Sequence, residues 1–385
     1  MERKARRKSQ DNLHTRAYKE GVIILLNHKD TLTSRERVKK IFEREIPDRV
    51  PIDYFGNAGI NKKMMDYFNA TDYDGLLTAL GVDFRSVGPH YTGKPLFENN
   101  TPDRHIDSLT GIHQRWVEHS SGGYWDFCDF PLEHADYETI EKWPFPNPDD
   151  YDYDAALDYC RAHSDFALHA GGAGLGDIMN STGMIRGVEQ TLVDLVTDDP
   201  AGMLYIDKKV DLDLARLERL LEKCHPYLTF VWMGEDLGSQ HRPLISLELF
   251  RKAIRPRHQK IIDCAKYYKL PIIIHTCGSS SWAYNDFIEM GMDGVDTLQP
   301  EAANMSPEYL KKTFGDNFVF HGCISTAGVL AYGTPEDVEE NVRKTLEIMM
   351  PGSGYMLSPT HQIQDNSPLS NVVRMYEAAY KYGYY

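Results

Sequence analysis

Two short stretches carry the residues best suited to chemistry. Pro271-Ile-Ile-Ile-His275-Thr-Cys277 ends an apolar, β-branched run in an imidazole and a thiol, and Val319-Phe-His321-Gly-Cys323 repeats the arrangement. Side chains alternate faces along a strand, so residues two apart point the same way. His275, Cys277 and Cys323 therefore read as a zinc set. Zinc takes imidazole and thiolate ligands at about 2.0–2.3 Å, and a catalytic site keeps one position open for substrate. The competing reading is that the two thiols are small buried hydrophobes beside a core histidine. His321 is open to three roles: a ligand in place of His275, an additional ligand, or a partner to a neighbouring carboxylate. Glu235 and Asp236 end an apolar strand in Met233-Gly-Glu-Asp-Leu-Gly. That pair could give a fourth ligand, a general acid or base, or a carboxylate orienting a histidine, and for Asp236 equally a helix cap. Of these groups Glu235 and His321 are the expected catalytic residues. Tyr54, Gln299, His361 and Gln362 fall at other strand ends and, with Asp236, suit substrate hydrogen bonding. For His361 a loop-stabilising role is the alternative. Trp232 and Trp282 read as packing.

The elements that would position these residues recur with a regular beat. Strand patterns lie at 50–56, 82–88, 166–171, 229–235, 272–277, 294–299, 318–323 and 354–359. Helical patterns lie between them, among them 191–205, 212–224, 247–268, 281–290, 307–314 and 335–349. Eight such units predict a (β/α)8 barrel, whose active site lies at the carboxyl ends of the strands. An open dinucleotide-binding sheet would need a Gly-rich turn after the first strand, and Gly56-Asn-Ala-Gly59 is a poor match. Thr33-Ser34-Arg35-Glu36 predicts a capped helix through Arg44. The basic residues 1–30 read as an arm, and 31–385 as one catalytic domain. Residues 92–132 break the beat as an inserted hairpin, with Gly122-Gly123 between two alternating runs. Arm and hairpin are open to service as a homodimer contact or a lid.

The chain has 385 residues, 42 basic against 57 acidic, a formal charge of −15. This balance argues against nucleic acid or an anionic membrane surface as partner. Six scattered cysteines with no CxxC, and no apolar run long enough to span a bilayer, predict a reducing cytoplasm.

Several segments together resemble the uroporphyrinogen decarboxylase superfamily: Gly234-Glu-Asp-Leu-Gly-Ser-Gln240, Pro243 to Arg251, His275-Thr-Cys-Gly-Ser279, Phe320-His-Gly-Cys323, Gly333-Thr-Pro-Glu-Asp-Val338 and Ser358-Pro-Thr-His-Gln-Ile-Gln364. Leu32-Thr-Ser-Arg-Glu-Arg37 and Pro47-Asp-Arg-Val-Pro51 extend the likeness to the amino-terminal half. The decarboxylase proper has an arginine-rich signature that grips the porphyrinogen, and this chain has Tyr54-Phe-Gly-Asn-Ala-Gly59 in its place. The resemblance therefore implies the cobalamin-dependent methyltransferase branch, whose His-x-Cys and distant Cys match His275, Cys277 and Cys323. It implies zinc, a corrinoid such as methylcobalamin carried on a small partner protein, and a small-molecule thiol or methoxylated substrate. The alternative it leaves is a decarboxylase-like lyase acting on a carboxylated substrate.

Overall fold

The computed structural model describes residues 30–98, 103–119 and 122–385. The expected arm, but for Asp30, lies outside them. Along the chain run strands β1 (Phe84–Val87), β2 (His90–Tyr91), β3 (His105–Ile106), β4 (His113–His119), β5 (Gly122–Phe127) and β6 (Tyr151–Asp152). They are followed by β7 (Ala167–Gly171), β8 (Leu228–Gly234), β9 (Ile272–His275), β10 (Gly294–Thr297), β11 (Val319–Ile324) and β12 (Tyr355–Pro359).

Seven of these form one parallel sheet in the order β1-β7-β8-β9-β10-β11-β12. Its strands are apolar on both faces, with all four residues of β9 and all six of β11 buried, as strands covered by helices outside and packed on one another inside must be. The eighth position is held by residues 50–53. Ile52 bridges Leu357 in parallel, and Asp53 N–H donates to the Leu357 carbonyl at 2.9 Å. On the other side, Asp83 N–H donates to the Ile52 carbonyl at 2.9 Å. The curled sheet is thus joined edge to edge, and the expected (β/α)8 fold is borne out. Its first strand is reduced to a few residues, because Pro51 supplies no N–H to a ladder.

Buried charge fixes that closure. Asp83, fully buried, takes Arg37 Nη1 and Arg49 Nη1 at 2.7 Å each and accepts from Ile52 N–H at 2.8 Å. The two guanidiniums hold its carboxyl below the usual range against the opposing cost of burial. The helix Ser34–Phe42, with its Thr33/Glu36 capping box, carries Arg37 and packs against β7, β8 and β12 at this end of the barrel. The opposite end is left open for function.

The remaining elements depart from the sequence expectation where single residues interrupt the helical pattern. The run 191–205 is cut at Asp198, which is left-handed, and Asp199 caps a new helix beginning at Pro200. That helix, Pro200–Cys224, is one continuous rod spanning the expected gap before 212. The expected helix 247–268 contains a π-turn at Phe250–Ile254 directly before Pro256. Pro256 cannot donate to the carbonyl four residues back, and the ladder widens there. Helices Tyr73–Leu80 and Leu369–Tyr382 had no counterpart in the pattern reading. β4 and β5 pair antiparallel, Trp116 opposite Trp125, and β3 adds a third strand. None of the described helices is long and apolar enough to cross a membrane.

Candidate functional site

Inside the barrel, alternation decides which side chains meet. On β8, Phe230 and Trp232 point inward; Trp232 lies 5.3 Å from the ring of His321 and 5.1 Å from that of His169. His275 on β9, Asp296 on β10 and His321 on β11 share one layer, paired in register as Asp296↔His275 and Asp296↔His321. Asp296 is bonded to both imidazoles. Its Oδ2 lies 2.6 Å from His275 Nδ1 and its Oδ1 lies 2.6 Å from His321 Nδ1. His321 Nε2 reaches Asp53 Oδ2 at 3.2 Å.

These contacts set the charges. Burial opposes protonation of His321, but Asp296 and Asp53 outweigh it and raise the imidazole to about 9. His321 and His275 in turn push Asp296 well below the ordinary carboxylate range despite its burial. His275 is likewise raised well above its usual value, with Asp296 overcoming desolvation. An anionic Asp296 on Nδ1 leaves His275 Nε2 as the free face of the ring. That nitrogen lies 3.4 Å from Cys277 Sγ. Two ligands on one tetrahedral zinc, at about 2.0 and 2.3 Å, stand about 3.5 Å apart.

The third member of the cluster is His361, in the loop after β12. One ligand atom each from His275, Cys277 and His361 lie within 4.8 Å of one another. The two imidazole rings meet edge to face at 5.9 Å. Partial burial and the nearby His275 hold the His361 imidazole below its usual value. Cys323, expected as the third ligand, is not in this group. Gly322 and Cys323 adopt positive φ, 127° and 76°, which interrupts the alternation that would turn 323 to the side of 321. The thiol is 1% exposed and near enough to Tyr284 and Tyr355 to add to the burial that raises both phenols. Tyr284 belongs to an aromatic layer with Phe314 and Phe318, and burial pushes the Cys323 thiol far up.

The other expected residues divide by distance from this cluster. Asp236 accepts from Cys277 N–H at 2.8 Å and from Asn180 Nδ2 at 2.8 Å. Gln299 Oε1 accepts from Gly278 N–H at 2.6 Å. Both therefore hold the 276–279 loop rather than face the cavity. Tyr54 lines the cavity and donates its hydroxyl to Asn61 Oδ1 at 2.7 Å. Gln362 is half-buried beside His361. Glu235 lies elsewhere. It follows Val231 and Met233 on the helix-facing side of β8, and its carboxyl accepts from Ile178 and Met179 N–H at 2.9 and 3.0 Å. Burial raises it to about 8, and His258 stands 3.3 Å away. It anchors the start of helix Met179–Arg186, outside the cavity lining.

The cavity under the mouth measures about 290 Å³. Aromatic walls include Tyr54, Phe55, Phe84 and Trp232, and Asp53, Asp296 and His169 are at its polar positions. Among the described residues, no Lys or Arg lines it. Asp296 and His169 escaped the sequence reading. The available signal was the polar residue inside an otherwise apolar strand, Gly294-Val-Asp-Thr and Ala167-Leu-His-Ala. A buried carboxylate or imidazole there requires a partner across the barrel.

Residues 235–382 match the family model for uroporphyrinogen decarboxylase (URO-D). A methylcobamide:CoM methyltransferase, MtbA, of Methanosarcina acetivorans is 28% identical over 141 residues, 37% of this chain and 39% of that protein. Its counterpart from Methanosarcina mazei is 29% identical over 143 residues, with the same two shares, 37% and 39%. The chain thus aligns with about two fifths of the length of these curated relatives. A solved methyltransferase from Methanosarcina mazei superposes over 90% of this chain and 98% of its own, with TM-score 0.58 and 15% identity, a likeness of fold.

Proposed function

We propose that this chain, which matches the URO-D family model over residues 235–382 and is similar to methyltransferases of that superfamily, is a metal-assisted methyltransferase. It moves a methyl group between a corrinoid, carried on a small partner protein, and a small-molecule thiol or methoxylated substrate bound in the barrel mouth. The observation that carries this reading is the convergence of His275, Cys277 and His361 within 4.8 Å at the edge of an aromatic cavity. Two imidazoles and a thiol are a donor set that zinc favours, and a three-residue set leaves a position open. The carboxylate–histidine pair Asp296–His275 is the usual support of such a ligand. When bound, zinc supplies Lewis-acid activation of the substrate heteroatom.

The chain's own residues do the remaining work. Asp296 keeps the His275 proton on Nδ1 and its Nε2 toward Cys277. Asp236 and Gln299 fix the backbone of the Cys277–Gly278 turn. The aromatic walls exclude water from the side of the reacting atom. A carboxylated substrate, as a decarboxylase-like lyase would take, meets no Lys or Arg of the described residues in this cavity.

The test is zinc stoichiometry of purified protein and of His361→Ala, Cys277→Ala and Cys323→Ala, with methylcobalamin and a thiol as the assay pair. The first two variants lose bound zinc and methyl transfer, and Cys323→Ala retains both. Full zinc in His361→Ala, or loss of zinc confined to Cys323→Ala, refutes the ligand set. A zinc-loaded protein that transfers no methyl to any of a panel of thiols, and demethylates no methoxylated compound, refutes the activity.

A further inference from the structure

A second cavity, of about 360 Å³, lies on the other side of the strand ends that wall the first. The two share Ser86, Gly171 and Gly172. β1 turns Phe84 and Ser86 toward the barrel interior and Val87 outward, where it lines this outer space with Leu217 and Leu220 of helix Pro200–Cys224. Part of the wall is bare backbone. Gly171 and Gly176 are explained by their φ of 79° and 72°, and a Cβ on Gly171 would stand 2.3 Å from the Trp232 carbonyl oxygen. Gly88, Gly172 and Gly174 have no such reason. None of the three has a positive φ, and a Cβ on any of them would meet no atom within 4 Å. Glycine carries an entropic cost on folding, and it is kept where a ligand must come close to the backbone.

Among the described residues one cation lines this cavity, Arg216 of the same helix. Its basic neighbours are already used. Lys209 pairs with Asp213 at 2.8 Å, and Arg219 pairs with Asp149 at 2.8 Å. Arg216 makes no ion pair among the described residues. Its guanidinium instead lies over the Tyr151 ring at 4.4 Å, and its Nε has no hydrogen-bond partner. Asp213 also lines the cavity, but Lys209 balances its charge and it accepts from Gly176 N–H at 3.2 Å. Arg216 is thus a positive charge left over.

We propose that this outer cavity binds a small organic anion, a carboxylate or phosphate on a short apolar body, at Arg216 and the bare backbone of Gly172 and Gly174. A guanidinium offers its N–H donors in a planar fork that matches either oxyanion. Packing on Tyr151 holds that plane in place. Val87, Pro89, Leu175, Leu217 and Leu220 give the body of the ligand an apolar wall. The central cavity presents Asp53 and Asp296 instead, so an anion is sorted to the outer one. This site is separate from the metal cluster and goes beyond the function proposed above.

The experiment is calorimetric titration of the full chain with hexanoate, hexyl phosphate and hexan-1-ol. Wild type binds at least one of the anions, and binds it at least about tenfold tighter than the alcohol, the scale of a charge-assisted hydrogen bond. The tighter of the two anions identifies the head group as carboxylate or phosphate. Arg216→Gln brings the anions down to the affinity of the alcohol. Gly174→Leu fills the open space and abolishes binding of all three probes, which keeps the inference testable should Arg216→Gln fail to fold. Cys277→Ala, which lacks a candidate metal ligand, binds the anion as wild type does. No anion binding by wild type, an alcohol bound as tightly, an undiminished preference in Arg216→Gln, or undiminished binding in Gly174→Leu overturns the inference. Anion binding lost in Cys277→Ala places the anion at the metal and overturns it as well. Methyl transfer is read in none of these titrations, so failure of the function proposed above leaves their outcomes unchanged.

Discussion

Asp296→Asn tests the support of the candidate metal site at one atom. The carboxylate sits between two imidazoles, 2.6 Å from each Nδ1, and is fully buried. An amide keeps the shape but offers one oxygen and one NH2 group. One imidazole keeps an acceptor, and the other must face a donor and change tautomer. If His275 is the one displaced, its Nε2 becomes protonated and cannot bind a metal. If it keeps the amide oxygen, a charge-assisted bond becomes a neutral one of roughly half the strength. Loss of such a carboxylate behind a ligating histidine typically weakens metal binding about 10- to 100-fold, or about 1.4–2.8 kcal/mol. The assay is competition for zinc against a chromophoric chelator, with near-ultraviolet dichroism to confirm packing. His321→Gln is the control, since His321 touches Asp296 but is outside the ligand cluster. Asp296→Asn with wild-type zinc affinity and native packing refutes the argument that this carboxylate sets the His275 tautomer.

Other outcomes follow from the same contacts. Asp83→Asn removes the charge that both Arg37 and Arg49 address at the barrel closure. Breaking a buried pair of this kind costs about 3–5 kcal/mol, so the urea midpoint falls sharply while zinc content per folded molecule is unchanged. His321, raised to about 9, lends stability that is fully present below its unfolded value of about 6.5 and disappears as pH rises through 9. Melting temperatures of metal-free wild type and His321→Gln therefore differ most near pH 6 and converge above pH 9; a constant gap across that range contradicts the pairing with Asp53 and Asp296.

The sequence by itself determined the barrel and the addresses of its polar strand ends. A strand buried on both faces has to be continuously apolar, so the residue where the run stops stands out, and His275 with Cys277 needed only the two-residue period to be placed together. Tyr54, His321 and Gln299 were visible for the same reason. Tertiary structure alone decided what each address faces. Glu235 follows an apolar strand as His275 does, yet its parity sends it toward the helices and the backbone of Ile178 and Met179. Cys323 repeats the spacing of Cys277, but positive φ at 322 and 323 breaks the alternation on which that inference depended. His361, with no local periodicity to mark it, reaches the cluster because β12 delivers its loop to the mouth of the closed barrel. Local pattern fixes which residues are buried or at an end; which of them meet across the barrel is fixed by closure, a contact between residues 50–53 and the strands at either edge of the sheet.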